Sequence, residues 1–399
     1  MNIFNSILRP EEVVSLTQRL VRIPSDWNVP TREKDALDEV CKFLDENGVP
    51  YTKQQVTEHT YNVIACYKGN KEGKKVMLNG HIDTVPPYEM DFPPYEAAVK
   101  DGFIQGRGTN DMKGAVAAML LTLVAFHRGN IPLAGELIVT VVVGEEGQSE
   151  GTKQLIRESV TADVAIVGEP SHFDYAIAHR GLEWIQVDVK GVTAHSGVAH
   201  KGVNAISKAA KLITRLEERI QPVLDRRNHP YCGRSILNFG TITGGTQPST
   251  VADKCSFQLD RRYIPGETPE SIEQEIQDVI NELKEEDPNF NASLTMLDHI
   301  DEDTYHHVPL NTAPDHPFIP ILTKTITDVT KRNPEVSTKR GWTDAGLLSY
   351  YGKIPTVVCG PGKIEYSHAE NEQIAVEQLL QAVNIYFTVT KEYCDSVTD

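Results

Sequence analysis

The sequence has 399 residues, 40% of them hydrophobic, which is enough for two or three domains with a sizeable core. Its formal net charge of -17 predicts a surface that repels phosphate backbones and anionic lipids, so we expect neither a nucleic-acid nor a membrane partner. The six cysteines include no CxxC pair, and the N-terminal residues show no secretory pattern, so a reduced, cytoplasmic location is expected.

The first part of the chain alternates predicted helices with strands that are apolar along most of their length. Apolar residues at helical spacing indicate the helices, and runs such as LIVTVVV indicate strands buried on both faces. This alternation predicts an α/β catalytic domain with a mixed sheet covered by helices on both faces. In chain order we expect helices over 11–24 and 33–48, strands over 61–69 and 74–83, a helix from Gly114 to Gly129, and strands over 135–144 and 163–170.

The pattern changes near residue 180, where strands begin to alternate apolar and polar residues. The order strand, helix, strand, strand, helix, strand is typical of a ferredoxin-like α+β domain. We therefore predict an inserted domain over 181–298 within a catalytic domain made of 1–180 and 299–399. The elements expected after residue 180 are a strand over 181–191, a helix over 203–219, strands over 235–245 and 254–266, a helix over 268–285, a strand over 291–299, a helix over 316–332 and a strand over 354–362.

Histidine and carboxylate residues follow several of the predicted strands. His81 and Asp83, two positions apart at the end of an apolar strand, share one side of it, although alone they could be a solvated turn. Asp111 before the apolar helix could equally be an N-cap. Glu145 and Glu146 come directly after a buried strand, a costly pairing unless a cation neutralises it. One of the two could bind the metal while the other acts as a base.

Two further segments, around Glu169 and His368, would each be taken for surface loops if considered alone. In open α/β sheets, however, functional groups collect at the carboxyl ends of the strands. Two histidines and three carboxylates are enough for two metals that share a bridging carboxylate. The combination therefore predicts a two-metal centre.

The segments that carry these residues resemble the M20 metallopeptidase and deacylase family, which includes acetylornithine deacetylase, succinyl-diaminopimelate desuccinylase, aminoacylase and carboxypeptidase G. The resemblance runs from about residue 78 to 372, in the segments GHIDTVP, GRGTNDMKGA, GEEGQSEGT, VGEPS, GVTAHSG, LDRRYIPGE and GPG…SHAENE. It implies a metal-dependent amidohydrolase with a lid and dimerisation domain, and a cis peptide after Asp111. It also implies one role for each candidate residue: metal ligands His81, Asp111 (bridging), Glu146, Glu169 and His368, a general base Glu145, and Asp83 as the partner of His81.

The resemblance also assigns two residues of the predicted insert. His195 would stabilise the oxyanion in the active site of a partner subunit of a homodimer, and Arg262 would hold a substrate carboxylate. Arg261 points to the opposite face of the strand, so one of the two arginines is expected to be structural. The implied cofactors are two divalent ions, zinc first, with cobalt or manganese as alternatives.

The expected substrate is a small molecule, and the first hypothesis is a deacylase that cleaves the amide of an N-acyl amino acid or a related acyl amine. A dipeptidase or carboxypeptidase is the second, and a non-catalytic peptide-binding relative is the third. The desuccinylase wording GTSDGR is absent, and GWTDAG (341–346) resembles instead the form in acetylornithine deacetylase-like members. Ser249 and Thr250 stand where asparagine is typical, and Ala199 replaces proline; these departures predict a subgroup outside the well-known activities.

Overall fold

The computed structural model describes residues 3–297, 305–339 and 341–396, which divide into two compact units. Unit 1 comprises Met1–Ile177, Asn311–Lys339 and Thr343–Asp399, and unit 2 comprises Ala178–Leu310 with residues 340–342. The predicted insert begins three residues after the start of unit 2. Its predicted end at residue 298, and the return of the catalytic domain at residue 299, lie outside the described residues.

The α-helices lie in both units and are numbered in chain order. They are α1 (Pro10–Val21), α2 (Lys34–Glu46), α3 (Gly114–Gly129), α4 (Glu150–Arg157), α5 (Ala205–Leu224), α6 (Pro269–Glu286), α7 (Phe318–Thr330), α8 (Ala345–Tyr350) and α9 (Val376–Cys394). A turn over Thr109–Lys113, in which Asp111 and Met112 have non-helical backbone angles, leads directly into α3.

The strands are numbered in the same way. They are β1 (Tyr51–Gln55), β2 (Tyr61–Lys68), β3 (Lys71–His81), β4 (Val99–Lys100), β5 (Phe103–Gln105), β6 (Ala134–Val142), β7 (Val164–Val167), β8 (Tyr175–His179), β9 (Gly181–Lys190), β10 (Asn228–His229), β11 (Gly233–Arg234), β12 (Ile236–Gly244), β13 (Lys254–Tyr263), β14 (Asn291–Met296), β15 (Leu310–Asn311), β16 (Val336–Lys339), β17 (Thr356–Val358) and β18 (Gln373–Ala375).

A large mixed sheet forms the centre of unit 1, with β1, β2, β6, β3, β7, β17 and β8 side by side in that order. The strands β6, β3, β7 and β17 are parallel to one another, whereas β1, β2 and β8 pair in antiparallel fashion. The parallel strands are buried along most of their length because helices cover them. The predicted α/β class with a mixed sheet is confirmed.

The helix α3 is buried from Gly114 to Phe126, and it packs against α1 and α9. It accounts for the apolar run that predicted a helix ending at Gly129. Near the turn that leads into α3, β18 pairs with β5 in a small antiparallel sheet. This pairing ties the segment before α9 to the segment before α3.

Unit 2 contains an antiparallel sheet in the order β12, β13, β9, β14, and its core lies between this sheet and the helices α5 and α6. Buried residues alternate along β9 and β13, and they recur at helical spacing along α5 and α6. The element order β9, α5, β12, β13, α6, β14 is the ferredoxin-like order expected from the sequence. Among the described residues, no helix in either unit is long and apolar enough to cross a membrane.

Candidate metal centre

His81 is the last residue of β3 and is 2% exposed. Its Nδ1 lies 3.0 Å from the backbone carbonyl oxygen of Asp83. Because a carbonyl oxygen only accepts, the proton of a neutral imidazole sits on Nδ1, which leaves Nε2 as the free base. Nε2 lies 3.4 Å from Oδ1 of Asp111 and 3.3 Å from Oε1 of Glu169. The strand end therefore aims a metal-binding nitrogen at two buried carboxylates.

Asp111 lies between the two histidines. While Oδ1 faces His81, Oδ2 lies 3.6 Å from Nε2 of His368. The same Nε2 of His368 lies 2.9 Å from Oε1 of Glu146. The peptide bond between Asp111 and Met112 is cis, which confirms the expectation drawn from the resemblance. Each histidine therefore lies near one oxygen of Asp111 and near a second carboxylate, which is Glu169 for His81 and Glu146 for His368.

The turn that carries Glu145 and Glu146 begins at Gly144, whose φ of 79° favours glycine. A Cβ at that position would lie 2.0 Å from Oε2 of Glu150, so the flexible side chain of Glu150 would have to move to make room for it. The carboxylate of Asp83 accepts hydrogen bonds from the backbone N–H groups of Gly144 at 3.0 Å and Glu146 at 2.9 Å. Asp83 thus anchors this turn. Its Oδ1 lies 3.5 Å from Nδ1 of His81, which is farther than the 3.0 Å between that nitrogen and the backbone carbonyl oxygen of Asp83.

The electrostatics of the cluster favour a bound cation. Burial, followed by the charge of Glu169, raises the pKa of Glu145 well above its ordinary value, and burial also raises the pKa of Glu146. Burial alone would lower the pKa of His81, but hydrogen bonds with its neighbouring carboxylates outweigh it and raise that pKa. Carboxylates this close repel one another unless a metal ion or a proton neutralises them.

The spacing of the donor atoms also suits metal ions. The ligand atoms of His81, Glu145 and Glu169 all lie within 4.8 Å of one another, and so do those of His81, Asp111 and Glu146. Imidazole and carboxylate donors at such distances fit zinc, cobalt or manganese. Glu145, expected as a base, is near enough to be a ligand, so distance alone does not separate it from Glu146.

The two candidate residues of the insert belong to unit 2. Nδ1 of the exposed His195 accepts a hydrogen bond from the backbone N–H of Gly197 at 3.1 Å, so a neutral ring carries its proton on Nε2. Arg261 is 1% exposed and forms an ion pair with Glu267, which accounts for it as a structural residue. Arg262 lies on the other face of β13, where its Nε donates to Asp260 at 2.9 Å.

Two buried charged residues near the centre received no role from the sequence. Nζ of Lys113 donates to the carbonyl oxygens of Leu20 at 3.1 Å and Ile23 at 2.7 Å, and burial lowers its pKa to about 7. Asp344 accepts a hydrogen bond from Thr152 at 2.7 Å, and burial raises its pKa to about 6. Lys113 lies in the segment GRGTNDMKGA and Asp344 in GWTDAG, but nothing in the sequence alone indicates that these two side chains are buried.

Comparisons with known proteins identify the family to which the chain belongs. The model of Peptidase family M20/M25/M40 matches residues 77–392. The chain is 31% identical to an N-formyl-4-amino-5-aminomethyl-2-methylpyrimidine deformylase of Halalkalibacterium halodurans, over 96% of this chain and 95% of that protein.

Solved structures of the same family share the fold. The aminopeptidase PepT of Bacillus cereus superposes with a TM-score of 0.79 at 24% identity, covering 96% of this chain and 99% of that one. A dinuclear metal-binding M20 peptidase of Bacillus subtilis superposes with a TM-score of 0.73 at 14% identity, covering 97% and 99%. With the family model matched over most of its length, the chain belongs to peptidase family M20/M25/M40 and is a hydrolase of that family.

Proposed function

We propose that this protein is a two-metal amidohydrolase that removes a small acyl group from an amine. One observation carries the proposal: the two carboxylate oxygens of Asp111 face different histidines, Oδ1 facing His81 and Oδ2 facing His368. A carboxylate in that position can bridge two cations. A single-metal site would need only one of the two histidines.

Each cation would have its own set of ligands besides the bridge. His81 and Glu169 would hold one of them, and His368 and Glu146 the other. The hydrogen bond from Nδ1 of His81 to a carbonyl oxygen supports binding through Nε2. Zinc is the first choice, and cobalt or manganese would also suit imidazole and carboxylate donors.

Glu145 is the proposed general base. Bound cations would supply Lewis acidity, which polarises an amide carbonyl and makes water more acidic. Glu145 takes a proton from the attacking water as the new carbon–oxygen bond forms, and it returns that proton to the leaving amine nitrogen as the carbon–nitrogen bond breaks. The raised pKa of its buried carboxyl suits a group that both accepts and donates a proton.

His195 is proposed to stabilise the oxyanion in the active site of a partner subunit. Its Nε2–H is the ring hydrogen left for donation, since Nδ1 accepts from Gly197. A homodimer is supported by β12, an edge strand of the unit 2 sheet that exposes Ile236 and Ile242. Exposed apolar edge strands are templates for pairing with a second chain.

The substrate is proposed to be a small N-acyl amine, with formyl as the first acyl group to test. The support is the similarity, over nearly the whole chain, to a deformylase that acts on an N-formyl aminomethylpyrimidine. The substrate named for that relative has no carboxylate group. If the substrate of this protein is an N-acyl amino acid, Arg262 would bind its carboxylate. Action on dipeptides remains the alternative, and a cytoplasmic location remains a prediction.

A hydrolysis screen tests the proposal. N-formyl, N-acetyl and N-succinyl amines, with and without a carboxylate, are compared with a dipeptide panel in the presence of zinc, cobalt or manganese. We expect hydrolysis of acyl amines that a chelator abolishes. Cleavage of dipeptides alone would replace the deacylase with a peptidase. Failure to bind metal together with no hydrolysis in any arm would refute both.

A further inference from the structure

Glu372 is a fully buried carboxylate that the proposed reaction does not use. It follows His368 by four residues and lies immediately before β18, the strand that pairs with β5. Its backbone carbonyl accepts a hydrogen bond from Gly106 at 3.1 Å. The chain thus brings this carboxylate to the segment that carries Asp111.

Both oxygens of Glu372 have specific partners. Oε1 accepts hydrogen bonds from the backbone N–H groups of Asn110 and Asp111, each at 3.0 Å. Oε2 accepts from Nη1 of Arg107, which is itself 1% exposed and donates through Nη2 to the carbonyl of Pro87 at 3.3 Å. A simple buried ion pair would need only the contact between Oε2 and Arg107. Oε1 therefore has a separate role, which is to hold the backbone at Asp111.

A second connection holds the same two segments together on the other side of His368. The side chain of Asn110 donates to the carbonyl of Lys363 at 3.0 Å and to Oγ of Ser367 at 3.2 Å, and it accepts from the N–H of Lys363 at 3.0 Å. The loop with His368 is therefore fastened to the Asp111 segment before and after the histidine. This double attachment fixes the distance between the two side chains.

We propose that Glu372, held in place by Arg107, is a positioning residue that sets the Asp111 carboxylate between the two metals and so determines how tightly the second metal binds. The inference rests on the two-metal function proposed above. Groups that orient a metal ligand through a hydrogen bond commonly change metal affinity by about 10- to 100-fold when they are lost. Glu372 acts here through the backbone of Asp111 and does not itself bind metal.

A matched pair of variants isolates the hydrogen-bond acceptor. Arg107→Met combined with Glu372→Gln keeps an oxygen for the two N–H groups and removes the cation that needs a negative partner. Arg107→Met combined with Glu372→Met has a side chain of similar length without an acceptor. Glu370→Gln, at an exposed position in the same loop, controls for the loss of one acidic charge.

The measurements are calorimetric titration of the metal-free proteins with zinc and the EPR spectrum of the manganese(II)-loaded proteins, in which two ions sharing a carboxylate are exchange-coupled. We expect the more weakly held zinc to bind about 10- to 100-fold more weakly to the methionine variant than to the glutamine variant, with loss of the coupled spectrum. The Glu370 control should bind like the wild type.

Equal zinc affinities and equal spectra in the matched pair would overturn this inference while leaving the two-metal proposal intact, provided that the wild type binds two equivalents. A wild type that binds none would overturn both. If the paired variants do not fold, Glu372→Asp keeps the charge that faces Arg107 but withdraws the acceptor from the two N–H groups. Wild-type zinc affinity in that variant would likewise overturn the inference.

Discussion

Replacing Glu145 with glutamine should remove most of the turnover and yet stabilise the metal-free protein. Glutamine has the same shape as glutamate but cannot accept the proton of the attacking water. The ligand atoms of Glu145 and Glu169 lie within 4.8 Å of each other, in a group that also contains His81. The carboxylate that is proposed as the general base therefore also repels the carboxylate of Glu169 when no cation is bound.

The size of the gain follows from Coulomb's law. Two unit charges at about 4.8 Å repel by roughly 3.5 kcal/mol at an effective dielectric constant of about 20. Because the folded protein raises the pKa of Glu145, stability falls as pH rises from the unfolded pKa of about 4.5 toward the folded value. Glu145→Gln removes this loss, so its advantage over the wild type should grow with pH and approach about 3 kcal/mol.

The assay combines urea unfolding of the chelated proteins at several pH values with turnover of the best substrate from the screen. We expect Glu145→Gln to lose about 10²- to 10⁴-fold in kcat while still binding two metals. Glu58→Gln, at a side chain that is 89% exposed, is the matched control and should change neither quantity. Activity within a few-fold of wild type would refute the role as base, and a less stable metal-free variant would refute the electrostatic reasoning.

Three further outcomes are expected. Asp83→Asn offers one oxygen to the two N–H groups that the carboxylate now binds, so it should lower the free energy of unfolding by about 1.5–3 kcal/mol and weaken zinc binding, as measured by urea unfolding and calorimetry. His195→Ala should lower kcat but not metal content, and mixing it with Glu145→Gln should restore activity if the site is completed across a dimer; unchanged inactivity would favour a site within one subunit. Burial acts to raise the pKa of Glu267, but the charge of Arg261, together with hydrogen bonds to the carboxylate, outweighs burial and lowers that pKa below 4.5. The stability that this carboxylate contributes is therefore present above pH 4.5 and is lost as pH falls through the folded pKa. Glu267→Gln should flatten that acid limb in a pH series of thermal melts.

The order of the major elements could be predicted because their apolar residues recur at clear periods. The shorter and more polar elements could not. The strand β1, YTKQQ, lies at the edge of the sheet with one buried residue, so it has little of the alternation that indicates a strand. The helix α5 continues to Leu224, beyond the predicted end at residue 219, although Pro222 lacks the N–H that a helix uses. The buried Ile220 and Leu224 belong to the unit 2 core, and their packing outweighs this loss.

His81, Glu146 and Glu169 could be grouped from the sequence because each follows a buried strand, and the ends of these parallel strands meet at one edge of the sheet. Asp111 and His368 could be added only through the family resemblance. Their supporting residues could not be grouped in this way. Glu372 binds the backbone of Asp111 across 261 positions of sequence, and Lys113 binds the carbonyl of Leu20 across 93. Backbone partners are present at every residue and carry no sequence signal, so these contacts emerge only from the fold.

Anomalous X-ray scattering at the zinc absorption edge, from crystals grown with zinc, tests the two-metal centre most directly. The proposed site predicts two peaks on either side of the Asp111 carboxylate, one bound by His81 and Glu169 and the other by His368 and Glu146. A single peak, a peak bound by Glu145 in place of Glu146, or peaks away from these side chains would contradict it.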